Sequence, residues 1–277
     1  MFGRTIPQLE MLMGHRNNGS TQRHYLDENS EDIDAAFRGN YVYYHTYYET
    51  KIKVMENLGL EGHQTLLDVG CGQGHLLRLL YRSYPNLEGV GIEINLSDLM
   101  KARHRNMQSD CEFILCDASH LPFKDACFDR EICTAVLEHV TDEKSVLCEM
   151  RRTLEDDGIV VLDVPGTYHF QNRLSDLYIK TFGVFPFHRE YTAERMKAIV
   201  EESAFEIESF NTARFVGSLL FPVIETVSGM GGRKIVWCRG RIAKAVCWVG
   251  DWISLACGNR SFLKLLGGSW FFKMRKK

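Results

Sequence analysis

Three glycines at alternate positions, Gly70-Cys71-Gly72-Gln73-Gly74, follow directly on an apolar run, Thr65-Leu66-Leu67-Asp68-Val69. Glycine lets the backbone bend sharply and lets a ligand approach with no Cβ in the way. The backbone N–H groups at the start of a following helix would face such a ligand. A tight turn between a strand and a helix would need glycines too. Glu93 narrows the choice, since it ends a second apolar run nineteen residues after Gly74. That is the distance at which an acid reaches a ribose diol in a nucleotide-binding βαβ unit. Asp68 is the other acid here; it is either a strand-end cap or a ligand contact, because burying it alone is costly.

The elements that must position these residues alternate along the chain. Strands are predicted at 65–69, 87–92, 112–116, 129–133 and 158–164, with helices at 75–83, 96–107 and 142–154 between them. A helix at 192–203, capped by Thr192 with Glu194 in its first turn, precedes a strand at 205–211. Such alternation gives an α/β fold with parallel strands and helices on both faces. Ligands on these sheets sit outside the carboxyl ends of the strands, where Asp68, Gly70, Glu93, Asp117 and Thr134 all fall.

The spacing GxGxG, in place of GxGxxG, argues against a nicotinamide dinucleotide. Leu66-Leu67-Asp68-Val69-Gly70-Cys71-Gly72-Gln73-Gly74 followed by Gly91-Ile92-Glu93 resembles the opening motifs of class I S-adenosylmethionine-dependent methyltransferases, in particular their UbiE-like group. Cys116-Asp117-Ala118 with Leu121-Pro122-Phe123, Phe128-Asp129 and Val136-Leu137-Glu138-His139-Val140 continue it in order, over roughly Leu66 to Phe210. The resemblance implies a Rossmann-like, doubly wound, mostly parallel seven-stranded sheet with S-adenosylmethionine as cofactor. It implies that Asp68, Gly70, Cys71, Gly72 and Gly74 surround the methionine moiety. Glu93 then holds the ribose, Ile94 lies beside the adenine, and Asp117 and Ala118 meet the adenine edge, although Asp117 also reads as a turn residue. Thr134 and Leu137 would line the cofactor wall. His139, and His188 in Phe187-His188-Arg189-Glu190-Tyr191-Thr192, are the candidate proton acceptors, and His169 is a weaker third; each also reads as structural. No metal is implied.

One residue departs from the pattern. Glu131 stands in the predicted fourth strand, where apolar residues are usual, and must find a partner or lie at the sheet's end. Arg130 alternates to the other face and is a poor partner.

At 277 residues and 45% apolar content, the chain can hold one such domain plus additions. Residues 1–60 read as a helical N-terminal cap whose tyrosines, Tyr41, Tyr43, Tyr44, Tyr47 and Tyr48, either close over the cofactor or simply pack. Residues 61–213 form the core, with 165–191 as a substrate-facing insertion, 214–268 a helical C-terminal insertion and 269–277 the final strand. Nine irregularly spaced cysteines and no secretory opening suggest reduced thiols and a cytoplasmic protein.

The net charge of −3 hides an asymmetry. From Ala213 onward there are twelve Lys/Arg, two acids and all four tryptophans, so this tail carries +10 and the remainder −13. Apolar residues from Ile235 to Ala256 recur at helical spacing, with no run long enough to span a bilayer. Three readings follow: docking on an anionic membrane surface, a lid or dimer interface, and nucleic-acid binding, which the apolar content makes the weakest. The implied reaction is methyl transfer, read as O-methylation of a small or lipid-linked acceptor. The alternatives are a soluble small-molecule methyltransferase and a non-catalytic cofactor-binding regulatory or assembly protein.

Overall fold

The computed structural model describes residues 50–51, 53–61, 63–107, 109–166, 189, 191–213 and 269–277. The tyrosine cluster, His169, His188 and the insertion 214–268 lie outside the described residues.

Strands β1 (Thr65–Val69), β2 (Glu88–Glu93), β3 (Glu112–Leu115), β4 (Phe128–Thr134) and β5 (Leu154–Pro165) pair in parallel. Strand β6 (Phe205–Ala213) and β7 (Ser269–Lys276) complete one seven-stranded sheet in the order β3-β2-β1-β4-β5-β7-β6. β7 is antiparallel to both its neighbours, β5 and β6.

The α-helices described after β1 are α1 (His75–Ser83), α2 (Leu96–Arg105), α3 (Glu143–Thr153) and α4 (Ala193–Glu202). In α1, Leu76, Leu77 and Leu80 form the buried stripe. Side-chain caps start the other three: Asn95 accepts from the N–H groups of Ser97 and Asp98, Asp142 from those of Lys144 and Ser145, and Thr192 from that of Arg195.

The alternation of strand side chains sends two apolar clusters to opposite faces. Cys133, Val160 and Leu162 join Val146, Met150, Met196 and Val200 on one side. Ile132, Ile159 and Val161 join Leu76, Leu77, Val54 and Leu58 on the other. Val54 and Leu58 belong to a helix, described at residues 50–51 and 53–58, that leads toward β1.

β5 begins earlier than its sequence suggests. Leu154 follows α3 directly and pairs with Phe128 before a register shift, and the regular ladder starts at Ile159 against Arg130. Gly158 permits that irregularity, since a Cβ there would sit 2.6 Å from Leu154 Cδ1.

The structure answers the question posed by Glu131. Its side chain is fully buried, and Thr153 Oγ1, at the end of α3, donates to Oε1 at 2.7 Å. Burial pushes the acid well above the usual carboxylate range. Arg130 turns away, giving its Nε to the Leu58 carbonyl at 2.7 Å and its Nη1 to that of Asp129 at 2.8 Å.

Two features of the tail change the reading of its charge. Trp270 is not interfacial: it is 3% exposed, packs against Phe210 and donates its Nε1–H to the Tyr191 carbonyl at 2.6 Å. Lys273 and Arg275 pair with Glu208, and Lys276 with Asp156. The surplus cation content therefore falls to residues 214–268, which hold eight of the twelve basic residues.

Candidate active site

The carboxyl ends of β1, β2 and β4 meet in register: Asp68 lies opposite Gly91 on one side and Ile132 on the other. Asp68 is only 2% exposed. Burial pushes its carboxyl up to about 6, with Glu93 adding to the rise and the Lys51 ammonium opposing it.

The loop after β1 is locked by its surroundings. Cys71 N–H donates to the Ile92 carbonyl at 2.9 Å, and Gly74 N–H to the Cys71 carbonyl at 3.0 Å. Gly70, Gly72 and Gly74 all have left-handed φ, yet they serve different ends. A Cβ at Gly70 would fall 2.3 Å from Val136 Cγ2, and one at Gly74 would fall 2.6 Å from Asn106 Nδ2. At Gly72 it would meet nothing within 4 Å. Only Gly72 leaves open space above the loop, so the close-approach argument belongs to it; the other two are packing glycines.

Glu93 clamps that loop from the next strand. Its Oε2 accepts from Gly72 N–H at 3.0 Å and its Oε1 from Asn95 N–H at 2.8 Å. A carboxylate oxygen has a further lone pair, so the same acid can still receive hydroxyl donors. Gln73 ties the loop to α2 by donating to Asp98 at 2.9 Å, while Arg105 bonds to Gln73 from the end of that helix. Burial and the neighbouring acids hold the Cys71 thiol protonated, which removes it as a nucleophile.

Ile94 follows Glu93 and is 71% exposed, a large aliphatic surface left free beside the loop. After β3, Asp117 Oδ1 accepts from Ser119 N–H at 2.9 Å and Ser119 Oγ at 2.7 Å, and these bonds hold its carboxyl below the usual range. Asp117 is thus a turn-former, with Ala118 carried on the same turn. Thr134 ends β4 opposite Asp163, and Ala135, with φ 56°, turns the chain onward.

Leu137 does not present a side-chain wall. It is fully buried in the core, and its carbonyl accepts from Tyr191 Oη at 2.9 Å. Val136, against Gly70, is the side chain that touches the loop. His139 is half-exposed, with Nε2 3.9 Å from Oε1 of the buried Glu138.

Sequence reasoning missed three residues at this edge: Lys51, Glu138 and Asp163. The latter two are 2% and 1% exposed. Glu138 sat within a quoted motif without a role. Asp163 lies opposite Thr134, near the end of its own strand, which was a usable signal. Lys51 carried no local signal.

These residues fit S-adenosylmethionine. Two acids, Asp68 and Glu93, face a site suited to a molecule bearing a sulfonium and an ammonium, Gly72 leaves backbone room, and Ile94 offers an apolar face for a heterocycle.

Comparisons with known proteins find likenesses to methyltransferases. The Methyltransferase domain family matches residues 67–162. A demethylmenaquinone methyltransferase of Thermotoga maritima is 34% identical over 125 residues, covering 44% of this chain and 54% of that protein. A malonyl-[acyl-carrier protein] O-methyltransferase of Geobacter sulfurreducens is 27% identical over 195 residues, covering 65% and 72%. The chain therefore spans only about half the length of the first relative. The solved structure of a geranyl diphosphate C-methyltransferase from Streptomyces coelicolor superposes with a TM-score of 0.57 at 12% identity, covering 84% of this chain and 82% of that one. At that identity, the last comparison speaks for the fold alone.

Proposed function

We propose that this chain, whose residues 67–162 match the Methyltransferase domain family, is a class I S-adenosylmethionine-dependent methyltransferase of the UbiE-like group that transfers a methyl group from that cofactor to a small or lipid-linked acceptor. The observation that carries the reading is the convergence of Asp68, the open Gly72 and Glu93 on one edge of the sheet, with Glu93 bonded to the loop it faces.

The cofactor supplies the activated methyl group, so the protein's tasks are alignment, exclusion of water and, for a hydroxyl acceptor, removal of a proton. Asp68 holds the ammonium of the methionine moiety and Glu93 the ribose hydroxyls. Ile94, Asp117 and Ala118 bracket the adenine. His139, beside the buried Glu138, takes the acceptor's proton; an ionised Glu138 would stabilise the imidazolium that results. His188 is the second candidate for that role.

Transfer to oxygen is the reading carried from the sequence, and the Geobacter relative, named as an O-methyltransferase, supports it. The likeness to a demethylmenaquinone methyltransferase favours a second reading, an activated ring carbon of a lipid-linked quinol. A hydroxyl or quinol-ring acceptor is activated by loss of a hydroxyl proton, whereas a carboxylate oxygen needs no base, so the base has a task only for the first two. The basic, apolar segment 214–268 would bring the site to an anionic membrane where such acceptors reside. Among the described residues, no helix is long and apolar enough to cross a membrane.

The test is transfer of a radiolabelled methyl group to extracts separated into lipid and aqueous fractions, with S-adenosylhomocysteine measured in parallel. Label in the lipid fraction supports the lipid-linked acceptor, and label confined to the aqueous fraction moves the acceptor to soluble metabolites. Cofactor binding with no S-adenosylhomocysteine formed from any extract would favour the non-catalytic reading. Flotation with anionic vesicles, with and without residues 214–268, tests the membrane contact separately.

A further inference from the structure

The glycine turn is tied to its surroundings at three consecutive residues. Glu93 takes the Gly72 N–H, and Gln73 joins Asp98 and Arg105 of α2. The third tie carries no charge and comes from Asn106, the residue that closes α2. Its Nδ2 donates to the Gly74 carbonyl at 3.3 Å and to the Ala102 carbonyl at 2.8 Å. One amide thus joins the last turn of α2 to the residue that opens α1.

The backbone does not need that amide. The Ala102 carbonyl already accepts from Asn106 N–H at 3.1 Å, and the Gly74 carbonyl from Arg78 N–H at 3.1 Å. Neither would be left without a donor if the side chain were removed. The amide is also costly to keep. Both its partners are carbonyls, so the nitrogen must face them, and the buried Oδ1 finds no donor among the described residues. Asn106 is only 4% exposed, and a buried acceptor without a donor destabilises a fold where an aliphatic group would not. Stability alone therefore gives no reason for an asparagine here.

Asn106 is itself firmly placed. Its own carbonyl accepts from Ser109 N–H at 3.0 Å and from Ser109 Oγ at 2.8 Å. Arg103, one turn earlier, anchors α2 on β3 by giving Nε and Nη2 to the Phe113 carbonyl at 3.2 and 2.7 Å. Gly74, by contrast, sits at φ 71° with no side chain by which the turn could be held, and glycine has the most backbone freedom to lose.

We propose that Asn106 is a positioning residue for the cofactor: it fixes the Gly74 carbonyl and so holds the turn in the shape that receives the methionine end. It acts through Gly74, and its contribution is preorganisation of the turn before the ligand arrives. The proposal rests on the methyltransferase reading and adds a residue that none of the linked sequence motifs contains.

The experiment is calorimetric titration of the full chain and of its Asn106→Leu and Asn106→Ala variants, with thermal melts in parallel. S-adenosylhomocysteine carries the amino-acid end that the turn would receive, and 5′-methylthioadenosine lacks it. Asn106→Leu keeps the branched shape without the donor. It is expected to weaken S-adenosylhomocysteine binding about fivefold and 5′-methylthioadenosine binding by less than about twofold, the range of one neutral hydrogen bond. Its melting temperature should stay close to that of the unaltered chain, because no backbone carbonyl loses its last donor. If leucine is too large to be accommodated, Asn106→Ala, which only removes atoms, carries the same comparison. Unchanged affinity for S-adenosylhomocysteine in the folded variants would overturn the proposal. Equal losses for both probes, or failure of both variants to fold, would make Asn106 a general support of the fold and overturn it as well. Failure of the unaltered chain to bind either probe would overturn the cofactor reading itself.

Discussion

Two acids on adjacent strands, one at the carboxyl edge and one in the middle of the sheet, look alike by burial and differ in everything else. Asp68 is 2% exposed and Glu131 is 0% exposed, and burial raises both carboxyls. Asp68, however, lies beside an open glycine backbone and within reach of a lysine charge. Glu131 is enclosed by Leu67 and Val160 on its neighbouring strands, with Thr153 as its hydrogen-bond donor. Burial of an acid alone is therefore no sign of a site. What separates the two is whether the space beside the carboxyl is already filled by protein.

The largest expected effect comes from neutralising each acid in turn. Asp68→Asn should weaken S-adenosylhomocysteine binding by at least about 30-fold, whereas Glu131→Gln should leave it unchanged; comparable losses in both, read by calorimetry, would erase the distinction. A second contrast lies within the loop. Gly72→Val should abolish measurable binding, and its left-handed φ adds a stability cost of about 1–2 kcal/mol. Gly74→Ala, which drives a Cβ toward Asn106 and Phe113, should lower the melting temperature more than Gly72→Ala does. The reverse order in a thermal melt would contradict the division between packing and open glycines.

Thr153→Val should cost about 1–3 kcal/mol in urea denaturation by leaving Glu131 without its donor. In a Glu131→Met background, which offers no acceptor, that cost should shrink.

The most gradual effects are those of pH. Both acids have folded-state affinities for protons above their unfolded values. Their contribution is fully present below the unfolded pKa and is lost as pH rises toward the folded one. For Asp68 that window runs from about 4 to about 6 and amounts to roughly 3 kcal/mol. Ligand affinity should move the opposite way, rising through about pH 6 as Asp68 ionises to meet the ammonium. Asp68→Asn should flatten that rise, and a slope unchanged in the variant would assign it elsewhere.

Much of this arrangement was legible in the sequence because the strand ends were. Runs such as Thr65–Val69, broken by glycine or ended by an acid, mark where each strand stops, and that is where the ligand edge must be. The cap at Thr192 was equally local. What escaped was whatever depended on distant partners. The environment of Glu131 includes Thr153, twenty-two residues on. The early start of β5 depends on Leu154 reaching Phe128. Trp270 looked interfacial until β7 carried it under Gly166 and Phe210. Lys51 is recognisable only once its helix is laid against the sheet.

The strand order at the far end of the sheet has a consequence for synthesis. Among the described strands β6 occupies the sheet margin and pairs with β7, yet 55 residues separate Ala213 from Ser269. On a ribosome adding about 5–20 residues per second, the segment 205–213 waits roughly 3–11 s for the strand that pairs it. During that interval β5 lacks its neighbour on one edge and β6 lacks the strand it pairs with. The open edge of β5 can then pair with an extended peptide, the chain's own later segment or a stranger's. Misfolding should be most sensitive to translation rate over residues 214–268, where ribosome stalling prolongs that vacancy.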